Sequence, residues 1–234
     1  SPPGPPPKSP YGLETVPEQE HALLAPCATY RCHSRGRKYP EPDHPYRGPF
    51  QRDRDRIVHS AAYRRLSGKT QVFTGEMGDY HRTRLTHTYE VASIARTLGR
   101  ALRLNEDLIE ALALFHDIGH PPFGHAGEDA LDQCLADEGG FSHNRYALTL
   151  AEELETHYPR FPGLNLTLEV LAGQTHRAEK RGESPLQFVP SFEVQVVDLA
   201  DSITYDAHDT DDAVKLGLVT LEEMLEIPLV RQAA

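Results

Sequence analysis

Cysteine is scarce in this chain and odd in number, occurring only as Cys27, Cys32 and Cys134. That count argues against a disulfide framework and makes a reducing, cytoplasmic setting the default expectation. Cys27, Cys32 and His33 lie close enough to suggest zinc, but no second ligand pair follows, so they read as free thiols in a loop. Long apolar runs are also missing. Nothing approaches the roughly 18 residues of a membrane span, and no charged-then-apolar leader is visible, so neither membrane insertion nor secretion is expected. Basic charge is in deficit: 24 Lys and Arg face 35 Asp and Glu, for a net charge of −11, which disfavours a general nucleic-acid binder.

The deficit is uneven. Residues 47–103 hold twelve Lys and Arg against five Asp and Glu, whereas the rest of the chain holds twelve against thirty. A polyanion responds to the nearby field more than to total charge, so this segment reads as a phosphate-handling stretch. Arg84 within it stands three residues before His87.

A hydrophobic content of 38% with 25% charged residues fits a globular chain of one domain or at most two. Residues 1–19 begin with a proline-rich run and read as a disordered tail, and residues 20–50 as an extended, proline-punctuated arm. Residues 51–220 carry the helical core, and 221–234 look like the start of an unfinished C-terminal region. The spacing predicts a helix over Thr88–Leu104, with Val91, Ile94, Ala95, Leu98, Ala101 and Leu102 inward. Asn105 should cap the next helix, carrying Leu108, Ile109, Leu112 and Phe115 and stopping near Gly119 ahead of Pro121-Pro122. Ser142 should cap a helix reaching about His157, with Ala147, Leu150, Ala151 and Leu154 inward. Thr167–His176 and Phe192–Lys215 complete the set. No alternating strand pattern extends beyond a few residues, so the expected fold class is all-α.

Four side chains stand out: His87, the pair His116-Asp117, and Asp201. Imidazole and carboxylate together suit Mn²⁺, Mg²⁺, Fe²⁺, Co²⁺, Ni²⁺ or Zn²⁺ and leave coordination positions for water and a substrate oxygen. Sites of this kind are built between helices from inward-facing side chains. Asp201, Tyr205 and Asp209 recur every four residues and so share one helix face. Two buried carboxylates would need a cation or hydrogen-bond donors, which a metal at Asp201 and a sugar hydroxyl at Asp209 would supply; a solvated acidic face is the alternative. A second group, His120, His125, Glu128 and His143, lies in and beside the glycine- and proline-rich turn that follows His116-Asp117. A carboxylate-held histidine is an acid–base arrangement, able to protonate a leaving oxygen while water attacks phosphorus.

Longer strings carry a family resemblance: Pro49–Ile57 (PFQRDRDRI), Arg64–Phe73 (RRLSGKTQVF), Asp79–His87 (DYHRTRLTH), His116–Glu128 (HDIGHPPFGHAGE) and Asp198–Tyr205 (DLADSITY). With these the chain resembles the HD-domain phosphohydrolases, specifically the bacterial branch of the deoxyguanosinetriphosphate triphosphohydrolase-like proteins, over roughly residues 20–220. The resemblance implies an all-helical fold and hydrolysis of a deoxynucleoside triphosphate to deoxynucleoside and inorganic triphosphate, water attacking the α-phosphorus. It implies one divalent metal held by His87, His116, Asp117 and Asp201, and catalysis by His125 and Glu128 with His143 in support. Arg84 and His120 would contact phosphate, while Gln71, Tyr205 and Asp209 would surround the deoxyribose. It also implies a homo-oligomer. Two alternatives stay open: an HD hydrolase of nucleoside monophosphates or signalling nucleotides, and a nucleotide or single-stranded DNA binder.

Overall fold

The computed structural model describes residues 16–69, 82–180 and 189–233. Among them the regular elements are helical, and the architecture is all-α as expected; a lone antiparallel bridge joins Arg37 to Thr167. The helices are α1 (Val16–Leu23), α2 (Pro49–Val58), α3 (Ala61–Arg65), α4 (Arg84–Ala101), α5 (Glu106–Phe115) and α6 (Gly124–Cys134). They continue with α7 (His143–Thr149), α8 (Leu168–Lys180), α9 (Phe192–Lys215), α10 (Leu221–Leu225) and α11 (Pro228–Ala233). Residues 1–15 of the expected tail lie outside the described residues, whereas residues 16–19, expected to be disordered, belong to α1.

Helix α5 is the axis of the fold. Leu108, Ile109, Ala111, Leu112, Ala113, Leu114 and Phe115 are all buried, so the helix is apolar nearly all round and must be enclosed. It is surrounded by α2, α4, α8 and α9. Each fully buried Leu, Ile or Phe contributes roughly 1.5–3 kcal/mol, which fixes α5 firmly and delivers His116-Asp117 at its C-terminal end. Asn105 caps its start as predicted, its side chain accepting the Leu108 N–H. The helix ends at Phe115, and residues 116–119 form turns.

Helix α4 begins earlier than expected, at Arg84, because Thr83 and Thr86 form a reciprocal cap. Its inward face carries Val91, Ala92, Ala95 and Gly99, with Ile94 and Leu98 partly buried. Ala101 and Leu102, expected inward, are exposed. The helix stops at Ala101, and the bare Gly99 lets Ile109 of α5 close against it instead.

Helix α7 also departs from expectation. Ser142 occupies the cap position, but its hydroxyl makes no cap bond and is buried without a hydrogen-bond partner. The Glu128 carboxylate accepts the His143 N–H in its place. A π-helical turn over Leu150–Leu154 ends the helix short of His157, and Leu154, expected inward, is exposed.

The segment between α1 and α2 crosses this bundle as a strap. Thr29 donates its N–H and hydroxyl to the fully buried Glu193 carboxylate at 2.8 and 2.9 Å. Arg37 pairs with buried Asp53 and donates to the Pro49 carbonyl at 2.8 Å.

Candidate active site

The polar ends of these helices converge. The inward stripe of α4 begins with Arg84 and His87 before turning apolar at Val91, and on α9 Asp201 interrupts a face of Val194, Val197, Ala200 and Thr204. His87 Nε2 lies 3.0 Å from Asp201 Oδ1, and His116 Nε2 lies 3.7 Å from the same oxygen. Ligand atoms of His87, His116 and Asp201 fall within 4.8 Å of one another, so the trio could hold one cation. His116 Nδ1 stands 2.6 Å from the Ala113 carbonyl, which only accepts, so Nδ1 carries the proton and Nε2 keeps a lone pair for a metal.

Asp117 turns elsewhere. Its Oδ2 accepts from Arg84 Nη1 at 2.9 Å, and its ligand oxygen groups with His120 and His143, again within 4.8 Å. Of the four expected metal ligands, three therefore form one cluster, and Asp117 belongs to the neighbouring one.

The connection from α5 to α6 builds the rest. Phe123 and Gly124 are consecutive left-handed residues, with φ of +64° and +62°, which reverse the chain after Pro121-Pro122. Phe123 is left 76% exposed at the rim. Gly119 sits against α7 so closely that a Cβ there would stand 2.6 Å from Ala147 N and nearer still to the His143 carbonyl oxygen. This contact sets His143 beside the loop. Glu128 Oε1 accepts from His143 Nδ1 at 2.8 Å, and its Oε2 lies 3.3 Å from His125 Nδ1. One buried carboxylate thus holds two imidazoles by Nδ1. The His125 side chain is 61% exposed and accessible to a ligand. His120 packs between the two, its ring centroid 5.4 Å from that of His125 and 4.7 Å from that of His143.

Electrostatics reinforce the division of roles. Burial alone would raise the Asp117 and Asp201 carboxyls, but neighbouring imidazole and guanidinium groups outweigh it and hold both below the usual carboxylate range. For Asp117 these are His116, Arg84 and His120; for Asp201 they are His116, His87 and Arg177. Burial lowers His116 and drives His120 down to about 3, so both rings are neutral near pH 7. Ionised aspartates beside neutral imidazoles are a donor set that fits a divalent cation.

These side chains line a cavity of about 540 Å³. Asp201, Ser202 and Tyr205 form one wall, with Tyr205 half-exposed. Asp209, one turn further along α9, is exposed and does not line the cavity. Gln71 lies outside the described residues. Sequence reasoning missed Lys69, whose ammonium donates to the His120 carbonyl at 2.6 Å, and Arg177, which lines the cavity from α8. A signal for Arg177 existed: it completes the i, i+3, i+4, i+7 stripe of Val170, Gly173 and Gln174, three buried residues.

Comparison with known proteins agrees with this geometry. The HD domain matches residues 84–206, which contain every cluster described. A deoxyguanosinetriphosphate triphosphohydrolase-like protein of Ralstonia pickettii (strain 12J) is 48% identical over 228 residues, covering 94% of this chain and 59% of the relative. Proteins of the same description from Bradyrhizobium sp. (strain ORS 278) and Thiobacillus denitrificans (strain ATCC 25259 / T1) are each 51% identical. They cover 89% and 88% of this chain, and 58% and 57% of their own lengths. The chain thus spans under three fifths of the curated relatives it matches, and among the described residues no helix is long and apolar enough to cross a membrane. With histidines and aspartates that could hold a metal converging at the helix ends, this chain belongs to the HD-domain family and resembles the bacterial deoxyguanosinetriphosphate triphosphohydrolase-like proteins over about nine-tenths of its length.

Proposed function

We propose that the chain carries the catalytic centre of a metal-dependent hydrolase that splits deoxynucleoside triphosphates into deoxynucleoside and inorganic triphosphate. The observation that supports this most is the His125–Glu128–His143 relay beside the His87–His116–Asp201 cluster in one cavity. A divalent cation bound by His87, His116 and Asp201, with Asp117 adjoining, would supply Lewis acidity and an activated water. Arg84, anchored on Asp117, offers its remaining guanidinium N–H groups to the scissile phosphate; its Nε is buried with no partner. His125, oriented by Glu128, gives its Nε2 proton to the departing 5′-oxygen. Glu128 compensates the charge on His125 before the transfer and steadies the tautomer after it. Tyr205 presents its ring to the deoxyribose from the α9 wall, where it excludes a 2′-hydroxyl.

Turnover of each deoxynucleoside triphosphate with Mn²⁺, followed by chromatography of both products, tests this reading. Deoxynucleoside and tripolyphosphate are expected. Nucleoside diphosphate with phosphate refutes the attack at the α-phosphorus. Hydrolysis confined to nucleoside monophosphates refutes the substrate class.

A further inference from the structure

We infer that Arg177, positioned by its ion pair with Asp198, is the clamp for the terminal phosphates of the substrate, and so selects triphosphates over shorter phosphate chains. The inference rests on the proposed function and adds to it a residue and a basis for substrate length.

Charge in the cavity points to it first. Arg84 and Arg177 are the permanently positive side chains among the lining residues, facing Asp117, Asp198 and Asp201. A polyanion can settle there only when a divalent cation tips this balance, and each guanidinium is then part of the small positive surplus. Arg84 is committed to Asp117 beside the scissile position. Arg177 is not. Its Nη2 lies 2.7 Å from Asp198 Oδ1 yet makes no aligned hydrogen bond, and its Nη1 stands 4.0 Å from Asp201 Oδ2. The guanidinium is therefore held in place by charge, and its buried Nη2 has no aligned hydrogen-bond partner. The side chain is only 13% exposed, so a phosphate group arriving in the cavity would satisfy a donor that is otherwise costly to bury.

The order of groups along α9 gives the direction. Tyr205, Asp201 and Asp198 follow one another along the cavity wall, about 6 Å and then about 4.5 Å apart along the helix axis. A sugar at Tyr205 and the scissile phosphate near Asp201 send the triphosphate tail toward Asp198. Arg177 waits at that end. A monophosphate would finish before reaching it.

Isothermal titration of the chain with inorganic tripolyphosphate and, separately, inorganic phosphate, both with Mn²⁺ present, decides the matter when repeated on Arg177→Gln and Arg177→Lys. Arg177→Gln should weaken tripolyphosphate roughly tenfold or more, the scale of one lost hydrogen bond to a charged group, and leave phosphate and Mn²⁺ binding unchanged. Arg177→Lys should fall between. Equal weakening of both anions, or loss of Mn²⁺, would assign Arg177 a purely structural role and overturn the clamp, as would unaltered tripolyphosphate binding in Arg177→Gln. Selective loss of tripolyphosphate in a chain that leaves deoxynucleoside triphosphates intact would refute the proposed function alone. Turnover of those nucleotides with no Arg177 effect would refute the clamp alone.

Discussion

Replacing Gly119 by alanine tests whether the site depends on the seam between the turn after α5 and helix α7. The added methyl would meet Ala147 N at 2.6 Å, Ala147 Cα at 3.0 Å and the His143 carbonyl oxygen more closely still. All three are backbone atoms, so no flexible side-chain end can swing aside. Overpacking of a well-filled core costs about 1–3 kcal/mol, and a backbone collision belongs at the top of that range. For a chain of this size about 3 kcal/mol lowers the melting temperature by roughly 6–12 °C. Because Gly119 stands between Asp117 and His120, relief of the clash must also draw those residues away from His143, and Mn²⁺ affinity should fall with stability. Gly68→Ala is the control, since a Cβ there meets nothing within 4 Å, and it should stay within about 0.5 kcal/mol. Thermal melts and Mn²⁺ titrations of the two variants decide the matter. If Gly119→Ala melts no lower than Gly68→Ala, the close approach of this turn to α7 is not what holds the site together.

Acid should destabilise the metal-free chain through His120. Its folded-state pKa of about 3 lies below the unfolded value of 6.5, so the unfolded chain takes up a proton that the folded chain refuses. The stability that follows is complete above pH 6.5 and fades toward about pH 3; at about 1.4 kcal/mol per pH unit, roughly 2 kcal/mol is gone by pH 5. Urea unfolding at pH 7 and pH 5 in chelator should show Asn at position 120 reducing that decline, and an identical decline in His120→Asn would refute the assignment. Glu128→Gln should lower kcat by a hundredfold or more with KM little changed, because both imidazoles lose the anion that orients them; a loss below tenfold in steady-state assays would contradict the relay.

Local cues made much of this fold legible. The spacing of Leu108, Ile109, Leu112 and Phe115 announced α5, Asn105 announced its start, and α9 runs over the predicted Phe192–Lys215. The convergence of His87, His116 and Asp201 followed because polar residues on otherwise inward stripes need a shared partner. What sequence reasoning missed depends on tertiary contact. Ser142 had the right identity for a cap, but its hydroxyl makes no cap bond, and Glu128, fourteen residues earlier, accepts the His143 N–H instead. The π turn at Leu150–Leu154 has no periodic signature and turns Leu154 outward. Asp209 shares the 201–205 face only while that face borders the cavity, and α9 runs past its edge. Asp117 could be read as a ligand from its neighbour His116, yet its preference for Arg84 arises from a helix thirty-three residues away.

The strap over the bundle limits how the chain can be shortened. Glu193 opens α9, eight residues before Asp201, and its carboxylate accepts from Thr29 N, Thr29 Oγ1 and, at 3.4 Å, Asn105 N. A deletion that removed Thr29 would strand an anion in the interior at the root of the helix carrying Asp201. Trimming from the N-terminus would then undo the geometry of the proposed metal site from a distance, with every side chain proposed to coordinate the metal still in the sequence.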